Sequence, residues 1–225
     1  MLSFRDYLKE EKLTGFLDTR EAVKQYMQDN FSLISYSFND YEDDPDIVEV
    51  NLELTPRITF TNEHLRKTGS QYHLPFKIGE ITNLVINAPK LNSTEGFPNS
   101  AGRILILDMD LHELNHDIVF NVGDLCLRGT YLITLTGIHN SCPHGVSELE
   151  FPKGLQGNVL DLARLDNLDS VSVAPHAMRL SDEIWNEQVR LAATINDYLS
   201  ESRGLDLLEL KATLIDNGFS KYAKI

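Results

Sequence analysis

The sequence predicts a mixed α/β chain, with helices at both ends and a middle of similar short strands stacked into one parallel sheet. Three observations predict it. Apolar residues near both ends recur at helical spacing. A short apolar pattern recurs six times between residues 55 and 178. The composition, 42% hydrophobic and 24% charged, is that of a globular chain rather than a disordered one.

In chain order, Ser3 stands where an N-cap belongs, ahead of Phe4, Tyr7 and Leu8 on one helical stripe. Asp18 or Thr19 can cap a second helix, in which Ala22, Val23, Tyr26 and Met27 repeat at helical spacing. The acidic stretch that follows (Asp40, Glu42, Asp43, Asp44, Asp46) is broken by Pro45. It has neither the spacing nor the glycine of a calcium loop, so it reads as a solvated loop.

The middle is a repeat. Ile81-Thr-Asn-Leu84-Val-Ile86 aligns with Ala101-Gly-Arg-Ile104-Leu-Ile106, and then with Val122-Gly-Asp-Leu125-Cys-Leu127. Val146-Ser-Glu-Leu149-Glu-Phe151 and Leu168-Asp-Ser-Val171-Ser-Val173 continue the series, and a weaker copy precedes it at Thr55, Ile58 and Phe60. The six starts are separated by 26, 20, 21, 24 and 22 residues. Positions 1, 4 and 6 are apolar in the five clear copies, four of which add an apolar position 11 (Leu91, Leu111, Leu132 and Met178), as Leu65 does in the weaker one. On a short strand, positions 4 and 6 point inward, while positions 1 and 11 enter and leave the same core.

After the repeat, Ser181 precedes Ile184, Trp185, Val189, Ala192, Ile195 and Leu199, a long amphipathic helix stopped near Gly204. A shorter helix carries Leu207, Leu208, Leu210 and Leu214 and ends near Gly218.

The pattern resembles the leucine-rich repeat, L-x-x-L-x-L-x-x-N-x-L over 20–29 residues, across roughly residues 47 to 178. That resemblance implies a short solenoid with a curved parallel sheet. Residues 46–180 would form it, with helical caps at 1–45 and 181–225 covering its apolar ends. One departure is consistent: position 9, Asn in the family, is Glu63, Pro89, Met109, Thr130, Gly154 and His176. The asparagine ladder is missing, and an irregular coil follows. Other parallel β-solenoids and a doubly wound α/β sheet remain open alternatives.

The 20 Lys and Arg against 34 Asp and Glu leave a net charge of −14. That argues against nucleic acid and anionic lipid as partners, both of which call for clustered Lys and Arg. No apolar run approaches the ~18–20 residues of a membrane span. The opening MLSFRDYLKEEK has no apolar core of a signal peptide, and Cys126 and Cys142 cannot build a disulfide framework. The expected location is the cytoplasm.

His112-Glu113-Leu114-Asn115-His116 matches H-E-x-x-H. On a helix that spacing sets two imidazoles on one zinc ion, with Glu113 activating water. Asp110 and Asp117 flank the motif where zinc proteases keep uncharged residues, and Val119 and Val122 stand where the longer zinc signature needs Gly and His. A third ligand would come from Glu148, Glu150, His139, Cys142 or His144. The other reading makes these polar loop residues. No phosphate-binding, dinucleotide or nucleophile-elbow motif is present, and no cofactor is expected. Cys126 lies at a strand position facing away from the core, where a reactive thiol is one option.

The expected binding surface is the outward face of the sheet. Position 5 runs Thr59, Val85, Leu105, Cys126, Glu150, Ser172, and position 7 runs Thr61, Asn87, Leu107, Arg128, Pro152, Ala174. Val85, Leu105, Leu107 and Cys126 make an apolar centre rimmed by Arg103, Asp108, Asp124 and Arg128, the anatomy of a protein-binding patch. The long C-terminal helix covering that patch is the alternative. The opening Met-Leu-Ser-Phe-Arg-Asp-Tyr-Leu-Lys-Glu is similar to the start of small accessory proteins of large tailed phages. This implies a protein of the host cytoplasm that binds and blocks a host or defence factor. The acidic surface suits a basic partner. The expected function is therefore non-enzymatic protein binding, against a zinc hydrolase or a structural phage component.

Overall fold

In the computed structural model, residues 15–17, 19–31, 34–39, 48–52, 57–115, 117–175, 181–201 and 206–224 are described. The helix expected after Ser3, the acidic stretch 40–46, Thr55, His116, His176, Met178 and Gly204 lie outside the described residues.

The chain is mixed α/β with a mostly parallel sheet. The strands are β1 (Ser37–Phe38), β2 (Glu49–Leu52), β3 (Ile58–Thr61), β4 (Arg66–Thr68), β5 (Gln71–His73), β6 (Lys77–Ala88), β7 (Ser100–Met109), β8 (Val122–Cys126), β9 (Glu148–Glu150) and β10 (Ser170–Ser172). Four α-helices are described: α1 (Arg20–Asn30), α2 (Ile138–Ser141), α3 (Asp182–Glu201) and α4 (Leu207–Asp216). The eight-stranded sheet has the order β1-β2-β6-β7-β8-β9-β10, with β3 also pairing β6. Every pairing in it is parallel except β1 with β2. Among the described residues no helix is long and apolar enough to cross a membrane.

The register of the sheet is the register of the sequence repeat. Ile58, Leu84, Ile104, Leu125, Leu149 and Val171, the six position-4 residues, are Cα partners in turn. All six are buried. Ile81, Ala101 and Val122 align likewise at position 1. Side chains on a strand alternate between faces, so a slip of one residue would turn this entire row to the other face. The row of large apolar side chains is what fixes the alignment of strand on strand.

Several elements escape the repeat. β6 is twelve residues long; its first half pairs β2 and its second half β3. β4 and β5 form an antiparallel hairpin inside the longest interval, turning at Gly69 with φ 60°. The return segments are irregular: the short α2 follows β8, and a 3₁₀ turn at Leu160–Arg164 follows β9.

At the N-terminal side, Thr19 caps α1 by accepting from Ala22 N–H at 3.2 Å. Val23 and Met27 face the core. Tyr26 of the same helix donates to His64 O at 2.7 Å and packs edge-on to Phe76. At the other side, α3 buries Leu191, Ala192, Ile195 and Tyr198, and lies along β10. Helix α4 ends in a Schellman turn: Gly218 N–H donates to Ile215 O and Phe219 N–H to Leu214 O, with Gly218 at φ 83°. That is the stop expected near Gly218.

Candidate functional site

The outward position-5 column forms as expected: Val85, Leu105, Cys126, Glu150 and Ser172 are partners strand by strand from β6 to β10. Beside it runs a position-3 column, Asn83, Arg103, Asp124, Glu148 and Ser170. The two columns are about 4.8 Å from strand to strand. They pass from Val85 and Leu105 at one side to Glu148 and Glu150 at the other.

Position 7 does not align in the same way. The register of β6 on β7 shifts between Ile86 and Asn87, so Asn87 stands opposite Asp108 and Leu107 becomes the extra residue of a bulge. Gly129 follows from that bulge, because a Cβ there would lie 2.1 Å from the backbone C and O of Leu107. The spacing of six identical frames hid this insertion.

The side chains of this face differ in depth. Arg103 and Asn87 are exposed, and Leu105, Leu107, Asp108, Asp124 and Arg128 are half-buried. Val85, Cys126 and Glu150 are buried, with Val85 and Cys126 outside the main core cluster. The face thus has a small apolar floor of its own.

Its polar centre is Arg128. The guanidinium donates from Nη2 to Glu150 Oε2 at 2.7 Å and from Nε to Cys126 Sγ at 3.0 Å. Nε also stands 2.7 Å from Glu150 Oε1, but its hydrogen points at the sulfur, so that oxygen accepts no hydrogen bond. A small cleft is lined by Arg103, Asp124, Cys126, Glu148, Glu150 and Ser172. Cys126 is not the exposed thiol its strand position suggested: only 1% of its surface reaches solvent. Burial pushes its pKa up, the opposite of what a reactive thiolate requires.

Helix α3 does not lie across this face but along the edge of β10. Asn196 Nδ2 donates to Val171 O at 2.9 Å, and Val171 N–H donates to Asn196 Oδ1 at 2.8 Å. Trp185 Nε1 donates to Ala174 O, and Gln188 Nε2 to Lys153 O and Leu155 O. Asn196 thereby answers the Val171 N–H and C=O that a last strand would leave open.

The H-E-x-x-H segment has a different geometry from the one its spacing suggested. Residues 110–115 form no helix. His112 is exposed, its ring stacked on Tyr131 at 5.0 Å and its Nε2 2.9 Å from Asp110 Oδ1. Glu113 is exposed, and His116 lies outside the described residues. Of the suggested third ligands, His139 Nδ1 stands 3.5 Å from Asp161 Oδ2, too poorly aligned for a hydrogen bond, and Gly137 N–H donates to the same oxygen at 2.7 Å. Cys142 is buried, which pushes its thiol up to about 12. His144 is exposed and Glu150 is held by Arg128. Among the described residues no three His, Cys, Asp or Glu side chains are grouped to hold a metal.

Compared with known proteins, the chain matches no family model, no curated sequence and no solved structure.

Two histidines without an evident partner in sequence acquire one in space. His73 is buried, with Nδ1 2.7 Å from Leu74 O, Nε2 2.9 Å from Thr68 Oγ1 and its ring stacked on Phe16. His64 Nδ1 accepts from Thr61 N–H at 2.9 Å and its ring stacks on Phe31 at 4.7 Å. Both bind local structure together, and neither borders the sheet-face cleft.

Proposed function

We propose that this chain is a non-enzymatic protein-interaction module: a short leucine-rich-repeat-like solenoid, closed by helices at its ends, that holds a partner protein on the outward face of its sheet. The single observation that carries this reading is the in-register column Val85–Leu105–Cys126, a small apolar floor that ends on Glu150 and is bordered by Arg103, Asp124 and Arg128. A preorganised apolar centre with a charged rim is suited to recognition, because the sheet has already met the entropic cost of ordering it. The position of α3 along the edge of β10 supports an accessible face. The net charge of −14 favours a basic partner, steering encounter more than holding the complex. If the similarity of residues 1–10 to phage accessory proteins holds, that partner is a host or defence factor, and the complex forms in the host cytoplasm.

Affinity capture from the source cell tests this, comparing the native protein with a Leu105→Glu, Leu107→Glu variant whose folding is checked by thermal melting. The variant is expected to lose the partner while keeping a cooperative melt. Undiminished recovery would place the binding surface elsewhere. The hydrolase reading has less support, since residues 112–115 are not helical and His112 is stacked on Tyr131.

A further inference from the structure

Helix α4 carries a second apolar stripe besides the one it buries. Leu210 and Leu214 face the core, whereas Leu208, Ala212 and Ile215, at i, i+4 and i+7, face solvent. Leu208 is 73% exposed and Ile215 47%, among the most exposed large apolar side chains of the described residues. An amphipathic helix needs only one such stripe to dock on its own domain.

The surroundings of the stripe are strongly one-sided in charge. Between α3 and α4 lies a cleft of about 190 Å³ whose lining includes Asp197, Glu201, Glu209 and Thr213. Asp216 extends the acidic flank along α4, and Lys211 stands on the opposite flank of the stripe. No ion pair engages these four carboxylates among the described residues; the nearby pairing of Lys221 goes to Glu187.

We propose that this face of α4 receives a basic amphipathic helix of a partner protein. Its apolar residues lie on Leu208, Ala212 and Ile215, and its Lys or Arg side chains reach the cleft carboxylates. Helix-on-helix docking uses apolar anchors at i, i+4 and i+7, which is the spacing presented here. Charge complementarity chooses the occupant. A second copy of this chain would bring the same carboxylates face to face, and an anionic membrane surface would be repelled by them. This surface is separate from the sheet face and does not depend on it.

The test uses a fluorescent synthetic helix of alternating leucine and lysine patches, followed by anisotropy at roughly 0.1 M salt, where surface charges still act over about 10 Å. Leu208→Ser with Ile215→Ser should weaken binding about tenfold or more, as removal of interface anchors does. Glu201→Gln with Glu209→Gln should also weaken it and flatten its salt dependence. Leu105→Glu on the sheet face should leave it unchanged. A Lys/Ser peptide of equal charge should bind more weakly than the leucine-containing one. Equal binding by the Leu208/Ile215 variant, or by the Lys/Ser peptide, would reduce the effect to bulk charge and overturn the proposal. So would a dimer in sedimentation that Leu208→Ser dissolves, since the occupant would then be a second copy.

Discussion

Asn196 of α3 makes both hydrogen bonds that a further strand would have made to Val171, donating at 2.9 Å and accepting at 2.8 Å. A carboxamide has the donor and acceptor of a peptide group side by side, so one side chain imitates one residue of an incoming strand. This closes the sheet at β10 and aligns α3 with its edge.

Replacing that amide tests the relationship. Asn196→Leu keeps the bulk but leaves Val171 N–H and C=O unanswered. The expected loss is about 1–3 kcal/mol, the cost of unsatisfied buried polar groups. A urea unfolding midpoint unchanged from the native protein would show that the two bonds are dispensable.

Gly129→Ala tests the bulge. Its Cβ would fall 2.1 Å from the Leu107 backbone, which has no side-chain freedom with which to yield. Destabilisation of about 1–3 kcal/mol is expected from overpacking. Gly154→Ala is the control, since the nearest atom to its Cβ would be Leu132 O at 3.4 Å. Equal melting of the two variants would refute the steric account.

The Arg128–Glu150 pair is mostly withdrawn from solvent, at 17% and 10% side-chain exposure. Arg128→Met leaves a carboxylate without its counter-charge and should cost about 3 kcal/mol. Adding Glu150→Met should restore most of that, because the pair's attraction largely offsets its own desolvation. A double variant no more stable than the single one would mean that the pair contributes more than this balance allows.

Stability should fall in mild acid partly through His64. Burial disfavours its charged form and lowers its pKa, outweighing the opposing pull of Glu63. The unfolded chain therefore takes up this proton first as pH drops below roughly 6.5. The stabilisation is present above that value and is lost progressively as pH falls towards the lower folded pKa. In His64→Asn, whose side-chain oxygen can still accept from Thr61 N–H, the drop in melting temperature between neutral and mildly acidic buffer should shrink. An unaltered pH profile would remove His64 from the account.

The sequence by itself determined the local apolar pattern and the register of the parallel strands. The apolar rows at positions 1, 4 and 6 are a property of side-chain alternation, and the sheet pairs the position-4 row strand by strand from Ile58 to Val171. Caps with local signatures were legible too: Thr19 before α1, and Gly218 after α4. The position-5 column of the candidate site followed from the same frame.

What only the tertiary structure decided depends on atoms far apart in the chain or on a one-residue insertion. The β6–β7 bulge moves Asn87 opposite Asp108, and no local signal in a regular repeat announces it. The extra pairing of β2 with β6 joins residues 28 to 29 apart, and that of β1 with β2 joins residues 12 to 14 apart. The H-E-x-x-H spacing suggested a helix, but Leu111 and Ile118 are drawn into the core on either side of it, and residues 111–115 are not helical. Whether α3 would cover the sheet face or its edge rested on Asn196 reaching Val171, a hydrogen-bond match across 25 residues. Periodicity reports which side chains leave water together; it carries no information about which backbone groups will meet.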